Sequence, residues 1–572
     1  MTIRIQSLPS ARAARRAGAL LLAGLLAQTA FGTSVQAQAQ DRAALMAEHR
    51  GGTITLAAVS AAGSVDPMIN YTAQFWQIFQ MTYDGLVKFK QAEGTEGFKI
   101  VPALAESLPE PTNDGKTYVF KIRKGIKFSN GKDVTPSDVV ASFQRIFKIK
   151  GPTTGSFYNG IVGADKCIAD SASCTLDGGV VGDDAAGTVT INLTAPDAEI
   201  FSKLAVPHAS IVPAETAAAD AGTTPIPGTG AYMIESYDPN SQMVIKRNPN
   251  FKEWSADAQP DGYADEVIYK FGLTEEAAIN AIINGQIDWL FDTPPADRLP
   301  EIGSKYASQV HIDPLAAFWY APMNTNLAPF DNVKVRQAVN YALDRDALVG
   351  LFGGEVLAQP VCQILPPDFP GHVDSCLYTK DPGETWVEPD MEKAQALIEE
   401  SGTKGQKVTV IAEDNAVARG IGTYIASVLT ELGYDASMKA ISPNIQFTYI
   451  QNTNNNVQIS VSQWYQDYPA ASNFLNVLLS CASFNKGSDA SINIAGYCNK
   501  DLDAKMKQAM TLALTDQEGA NALWAEVDKG FMEQAPLAPL FTPKSVNFTS
   551  ARLGNYLFNK QNRWIVSQSW VK

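Results

Sequence analysis

Asp114-Gly-Lys-Thr-Tyr-Val-Phe-Lys-Ile-Arg-Lys-Gly-Ile-Lys-Phe-Ser-Asn-Gly131 holds at its centre Tyr118-Val-Phe-Lys-Ile-Arg123, in which apolar and polar side chains alternate as they do in a half-buried strand. Downstream, Thr135-Pro136-Ser137-Asp138 is an N-cap residue followed by proline at the first helical position, which predicts a helix from Val139 to Phe147. Upstream, the β-branched run Gly51 to Val59 predicts a strand, and Phe75 to Tyr83 has the apolar spacing of a helix packed on it, closed by a turn at Asp84-Gly85. Residues 151–188 are rich in Gly, Ser, Ala and Asp and read as an irregular surface excursion. Beyond them, Val189 to Leu193 and Met243 to Arg247 read as strands, and Glu275 to Asn284 as a helix stopped by Gly285. The second half alternates again: helices Val333 to Val349 and Asp390 to Ser401, strand Val408 to Ile411, and helix Ala418 to Leu432 ended by Gly433. Mixed elements without a fixed repeat predict α/β layers in two bodies. Pro539 to Thr542 and Val546 to Phe548 regain strand character, and a late strand crossing back to the first body would leave a cleft between two lobes.

A chain of 572 residues exceeds what one core holds. Hydrophobic residues at 45% and charged residues at 18% belong to an ordinary globular protein and exclude disorder, collagen and coiled coil. With 45 Lys and Arg against 60 Asp and Glu, the net charge of -15 leaves no basic surplus for a phosphate backbone, so nucleic acid is excluded as a partner. Arg4, Arg12, Arg15 and Arg16 precede the apolar stretch Ala17 to Ala27, and small residues then lead to Ala37 and Ala39. This is the order of a secretory signal peptide, with cleavage after Ala37 or Ala39. The apolar run is shorter than the roughly 20 residues that span a bilayer, and no cysteine before Cys167 offers a lipid tether, so a free periplasmic protein without membrane insertion is expected. Six cysteines in an exported chain fall as Cys167/Cys174, Cys362/Cys376 and Cys481/Cys498. Several connectivities are possible, and short loops close with the least entropy. His49, His208, His311 and His372 are scattered and near no cysteine cluster, so no metal and no cofactor are expected.

Ala103-Leu-Ala-Glu-Ser-Leu108 together with Asp114 to Gly131 resembles the signature of family 5 extracellular solute-binding proteins, which serve peptide-type ABC importers. Gly228-Thr-Gly-Ala-Tyr232, Arg247-Asn-Pro-Asn-Phe251, Asn324-Thr-Asn326 with Pro329-Phe330-Asp331, and Val335 to Leu348 agree in order. Each block also has a structural reading. Gly228 and Gly230 permit positive φ, Asn248-Pro249-Asn250 is turn chemistry, and Arg336, Arg345 and Asp346 are expected in surface or inter-element ion pairs. The resemblance implies an α/β, two-lobed periplasmic binding protein fold of the larger, three-domain type with a central ligand cleft and a hinge. It divides the chain into signal peptide 1–39, first part of lobe 1 at 40–90, inserted domain 91–205, second part of lobe 1 at 206–314, lobe 2 at 315–537 and a return to lobe 1 at 538–572.

Trp464-Tyr-Gln-Asp-Tyr-Pro-Ala-Ala-Ser-Asn-Phe-Leu-Asn-Val-Leu-Leu-Ser-Cys481 is similar to the stretch of oligopeptide and dipeptide binders in which an aspartate holds the peptide's α-ammonium and a nearby tryptophan lines the pocket. Carried over, these roles fall to Asp467 and Trp464, and Cys481/Cys498 resembles a disulfide of the dipeptide binders. An ammonium entering a closed cleft needs a charge partner, because an unpaired buried charge is prohibitive. The bland alternative has Asp467 capping a helix from about Ser472, with Trp464 in the core. Arg419, at a helix start, is the candidate for a ligand carboxylate, since a guanidinium reads carboxylates bidentately. Tyr71 and Thr72 are candidates for contact from the first lobe.

The function implied is a periplasmic solute-binding protein, a monomer that captures a short peptide or other small molecule and delivers it to ABC permease subunits. Relatives of the same fold that take opines, oligosaccharides, glutathione or metal chelates supply the alternative ligands. A secreted hydrolase is the alternative of another class, and no Gly-x-Ser-x-Gly elbow or His-Glu-x-x-His supports it.

Overall fold

The β-branched run at the start of the chain forms strand Thr53–Ala58, which runs parallel to Trp289–Leu290 on one side and Glu266–Phe271 on the other. Gln242–Arg247 and Tyr232–Asp238 extend the sheet in antiparallel fashion to five strands. The coordinates are a computed structural model describing residues 42–572 apart from 62, 296, 489 and 490, so the expected signal peptide lies outside the described residues. Helix Ala73–Thr82 is capped by the Thr72 hydroxyl, and its Phe75, Ile78 and Phe79 share a core with Ile54, Leu56 and Ala58. Thr117–Lys121, Thr188–Asn192 and Val180–Asp183 form a separate antiparallel sheet. In its first strand Tyr118 and Phe120 are buried and Val119 is exposed, as the alternation requires. Helix Pro136–Lys148 opens with a reciprocal capping box between Thr135 and Asp138.

Residues 151–188 are more regular than expected: they hold helix Ala164–Ala169 and strand Val180–Asp183. Both are too short to declare themselves by period, and the strand exists because Thr188–Asn192 pairs with it. Gly228 and Gly230 also need correction. Neither has positive φ. A Cβ on Gly228 would meet the Thr82 carbonyl oxygen at 2.1 Å and one on Gly230 that of Met81 at 2.3 Å, so glycine is required there by close backbone approach.

In the second body, Lys407–Glu413 lies between Asp435–Ile441 and Ile459–Ser460, parallel to both. Helix Ala416–Glu431 connects the first pair, the usual way of joining parallel neighbours. The single helix expected from Val333 to Val349 is two, Val333–Ala342 and Arg345–Phe352, because the Asp344 carboxylate accepts the Ala347 N–H and starts a new helix. Arg336 and Arg345 are not in ion pairs among the described residues. Both are buried, and their guanidinium groups donate to backbone carbonyls, Arg336 to Phe330 and Gln534, Arg345 to Val361 and Pro539.

The two tail segments are one long strand, Leu537–Phe548. Its first half pairs with Ala317–Pro322 and Ala358–Pro360, its second with Val310–Pro314. Just beyond it Thr549 bridges Trp289 of the first sheet, and the Trp289 indole donates to Asn547 Oδ1 at 3.0 Å. The three cysteine pairs close locally, as Cys167–Cys174, Cys362–Cys376 and Cys481–Cys498. Among the described residues no helix is long and apolar enough to cross a membrane.

Candidate functional site

A cavity of about 1150 Å³ lies where the two bodies face each other. The first contributes Tyr71 and the start of helix Ala73–Thr82, with segments around Phe157 and Glu199; the second contributes strand Ser462–Tyr465 and the turn after it. The C-terminal segment Lys560 to Arg563 forms a further wall.

Strand Ser462–Tyr465 is held antiparallel to Ala317–Pro322, and the Gln466 N–H extends the pairing to the Ala316 carbonyl. The chain then turns, and Asn473 fixes the turn. Its side-chain oxygen accepts the Asp467 N–H at 2.9 Å, its amide donates to the Asp467 carboxylate at 2.9 Å, and its carbonyl accepts the Trp464 indole N–H at 2.8 Å. Asp467 therefore does not cap the following helix, which has no side-chain cap. Its other carboxylate oxygen accepts from the Tyr71 hydroxyl across the cavity. Among the described residues no cation pairs with it, and burial pushes its pKa up against the opposing effect of the Asn473 and Tyr71 hydrogen bonds. Burial, then the Asp467 charge, raises the Tyr71 pKa, so the phenol stays a donor. The Tyr71 ring stacks on Trp76 and meets His208 edge-on.

Thr72 lines the cavity with its hydroxyl committed to capping and to Asn70 Oδ1. Arg419 stands elsewhere: it is not among the cavity-lining residues, and on the outside of helix Ala416–Glu431 it pairs with Asp414 at 3.1 Å. Asp467, Trp464, Tyr71 and Thr72 are brought together and Arg419 is not.

Sequence reasoning did not single out Asn473, Glu199 or Arg563. Asn473 sat in the quoted Trp464 to Cys481 stretch, where a polar residue amid apolar ones was the available signal. Glu199 makes a second bridge across the cavity, accepting from the Tyr468 hydroxyl at 3.0 Å and from the Ser472 hydroxyl. Burial raises its pKa, and Lys203 at 3.8 Å opposes the shift. Among the described residues no group of His, Cys, Asp and Glu is arranged to hold a metal ion. The site offers two desolvated carboxylates, Asp467 and Glu199, of which Glu199 has Lys203 beside it, with aromatic walls and hydrogen-bonding groups around a volume suited to a small solute.

The family described as bacterial extracellular solute-binding proteins, family 5 Middle, matches residues 99–486. The periplasmic oligopeptide-binding protein OppA of Escherichia coli is 26% identical over 474 residues, covering 80% of this chain and 81% of that protein. The dipeptide-binding protein of Escherichia coli is 28% identical over 485 residues, covering 79% and 82%. Among solved structures, the clavulanic acid biosynthesis oligopeptide binding protein 2 superposes with a TM-score of 0.82 at 22% identity, covering 91% of this chain and 96% of that one.

Proposed function

Since the chain belongs to the bacterial extracellular solute-binding proteins of family 5, we propose that it captures a short peptide between two closing lobes and hands it to the permease of an ABC importer. The observation that carries the peptide reading is Asp467: a carboxylate enclosed in the cavity, oriented by Asn473 and met by Tyr71, with no cation of its own among the described residues. A peptide ammonium supplies the missing charge through a charge-assisted hydrogen bond, and in arriving it competes with the Tyr71 hydroxyl for the same carboxylate oxygens. Trp464 packs against the ligand chain, while Tyr71 and Thr72 form the opposing wall.

In this reading residues 206–314 and the return 538–572 belong with the first lobe and 315–537 form the second, with 91–205 as an inserted domain. The hinge runs through the strand Leu537–Phe548 and the link at Leu315-Ala316. The protein acts as a periplasmic monomer after removal of 1–39. It performs no covalent chemistry, because closing on the solute and presenting it is the whole task. Curated relatives carry oligopeptide- and dipeptide-binding names, which supports the ligand class.

The test is calorimetric titration with di-, tri- and tetrapeptides, with opines, sugars and metal chelates as competing probes. Wild-type protein is expected to bind peptides, and Asp467→Ala to lose about tenfold or more in affinity. Unchanged affinity in the variant, or binding of the competing probes alone, would overturn the reading.

A further inference from the structure

The cavity wall carries four cationic side chains, and three of them are accounted for. Lys203 pairs with Asp197 at 2.6 Å. Lys560 donates to the Pro367 carbonyl at 2.7 Å and pairs with Asp368 at 3.2 Å. Lys507 is exposed to solvent on helix Lys500–Leu512. Arg563 is the exception: part-buried and lining the cavity, it has no carboxylate, no hydrogen-bond acceptor and no aromatic face beneath its guanidinium among the described residues.

Its backbone is unusual as well. Arg563 has φ of 59°, in the left-handed region that a long side chain avoids, within the tight hairpin of Phe558–Asn559 and Arg563–Trp564. Such conformations persist where the surroundings enforce them and gather at ligand clamps. Here the Asn559 side chain accepts the N–H groups of Gln561 and Asn562 and holds the hairpin closed. Burial also pushes the Arg563 pKa down, with Tyr465 and Tyr556 acting in the opposite direction. A desolvated cation without an acid is costly, and Arg is built for planar bidentate recognition of carboxylate.

We propose that Arg563 receives the carboxylate of the bound solute, so that Asp467 and Arg563 together make the cleft a receptor for compact zwitterions, di- and tripeptides with a free C-terminus. The inference rests on the peptide reading of Asp467. The two charges sit on neighbouring segments: Gln561, two residues before Arg563, donates its side-chain amide to the Asp467 carbonyl at 3.1 Å, and Gln466 donates to the Lys560 carbonyl at 2.9 Å. Tyr465, whose hydroxyl feels the Arg563 charge, precedes Asp467 by two residues at the start of the turn. An extended peptide advances roughly 3.5 Å per residue, so charges carried on two adjoining segments suit a ligand of two or three residues better than a long one.

The experiment titrates wild-type, Arg563→Gln and Arg563→Lys protein with one tripeptide as the free acid and as its C-terminal amide. The wild type is expected to prefer the acid by about tenfold or more, Arg563→Gln to bind acid and amide equally, and Arg563→Lys to keep a reduced preference. Amide binding retained by Arg563→Gln at wild-type strength shows that the fold survives. Equal binding of acid and amide by the wild type, or an undiminished preference in Arg563→Gln, overturns this proposal and leaves the peptide reading intact. If neither form binds the wild type, both readings fall.

Discussion

In the first body the buried cations Arg145 and Lys88 meet carboxylates: the Arg145 guanidinium grips both oxygens of Asp66, and Lys88 pairs with Asp84 at 3.0 Å. In the second body the buried cations Arg336 and Arg345 meet carbonyls instead, with Arg345 tying the backbones of Val361 and Pro539 to one guanidinium. Burial lowers the Arg345 pKa to about 10 against the opposing effect of Tyr424, Asp344 and Tyr378, and among the described residues no acid forms an ion pair with it. A carboxylate cancels the charge at one point. A set of carbonyls spreads it over several chain segments and staples them together. The cleft between the bodies follows neither pattern: among the described residues Asp467 has no cation paired with it and Arg563 no carboxylate.

That contrast can be broken most directly in the first body. Asp66→Ala leaves Arg145 buried and unpaired, and urea denaturation is expected to show a loss of about 3–5 kcal/mol. Replacing Asp66 and Arg145 together with apolar residues should recover much of it, since the penalty comes from the orphaned partner. In the second body, Arg345→Met removes the charge and its donors at once. The orphaned carbonyls are expected to cost about 2 kcal/mol, less than Asp66→Ala. A larger loss there would erase the distinction between the two ways of holding a cation.

The smallest expected effect lies at the joint, where Asp313 is a half-buried acid with no cation paired to it among the described residues. Its carboxylate accepts from the Tyr556 hydroxyl at 3.0 Å and the Asn547 amide at 3.3 Å, yet burial pushes its pKa up to about 6. With the folded value above the unfolded one, the native state holds the proton more tightly. The contribution to stability is present below about pH 4 and is lost as pH rises through about 6. Because the group is partly open to solvent, about 1 kcal/mol is expected across that window. Asp313→Asn should flatten this part of the pH dependence of the melting temperature, and an unchanged slope would mean that the acid is not the cause.

Elements governed by neighbours a few residues away were legible. Thr135-Pro136-Ser137-Asp138 announced its helix because the capping box closes within one turn. The cysteine pairs were legible through their short spacing. Val333 to Val349 failed as a single helix although Asp344, a good N-cap, stood inside the apolar pattern; period outweighed capping in the reading and capping won in the fold. At the site, the Trp464 to Cys481 stretch drew attention to Asp467 and Trp464, and Asn473 between their two hydrogen bonds went unremarked. Arg419 looked suited to a carboxylate on local grounds, yet its helix turns it toward Asp414.

From the sequence alone come the α/β alternation and the local cysteine pairs, which rest on periods and spacings that act over short stretches of chain, and the family blocks and Asp467, which rest on resemblance. Only the tertiary structure decides which charges are cancelled. Arg345 meets its carbonyls, Arg419 its surface acid, and Arg563 no partner among the described residues. Desolvation belongs to an enclosed volume built from segments hundreds of residues apart, and no local pattern in the chain encodes it.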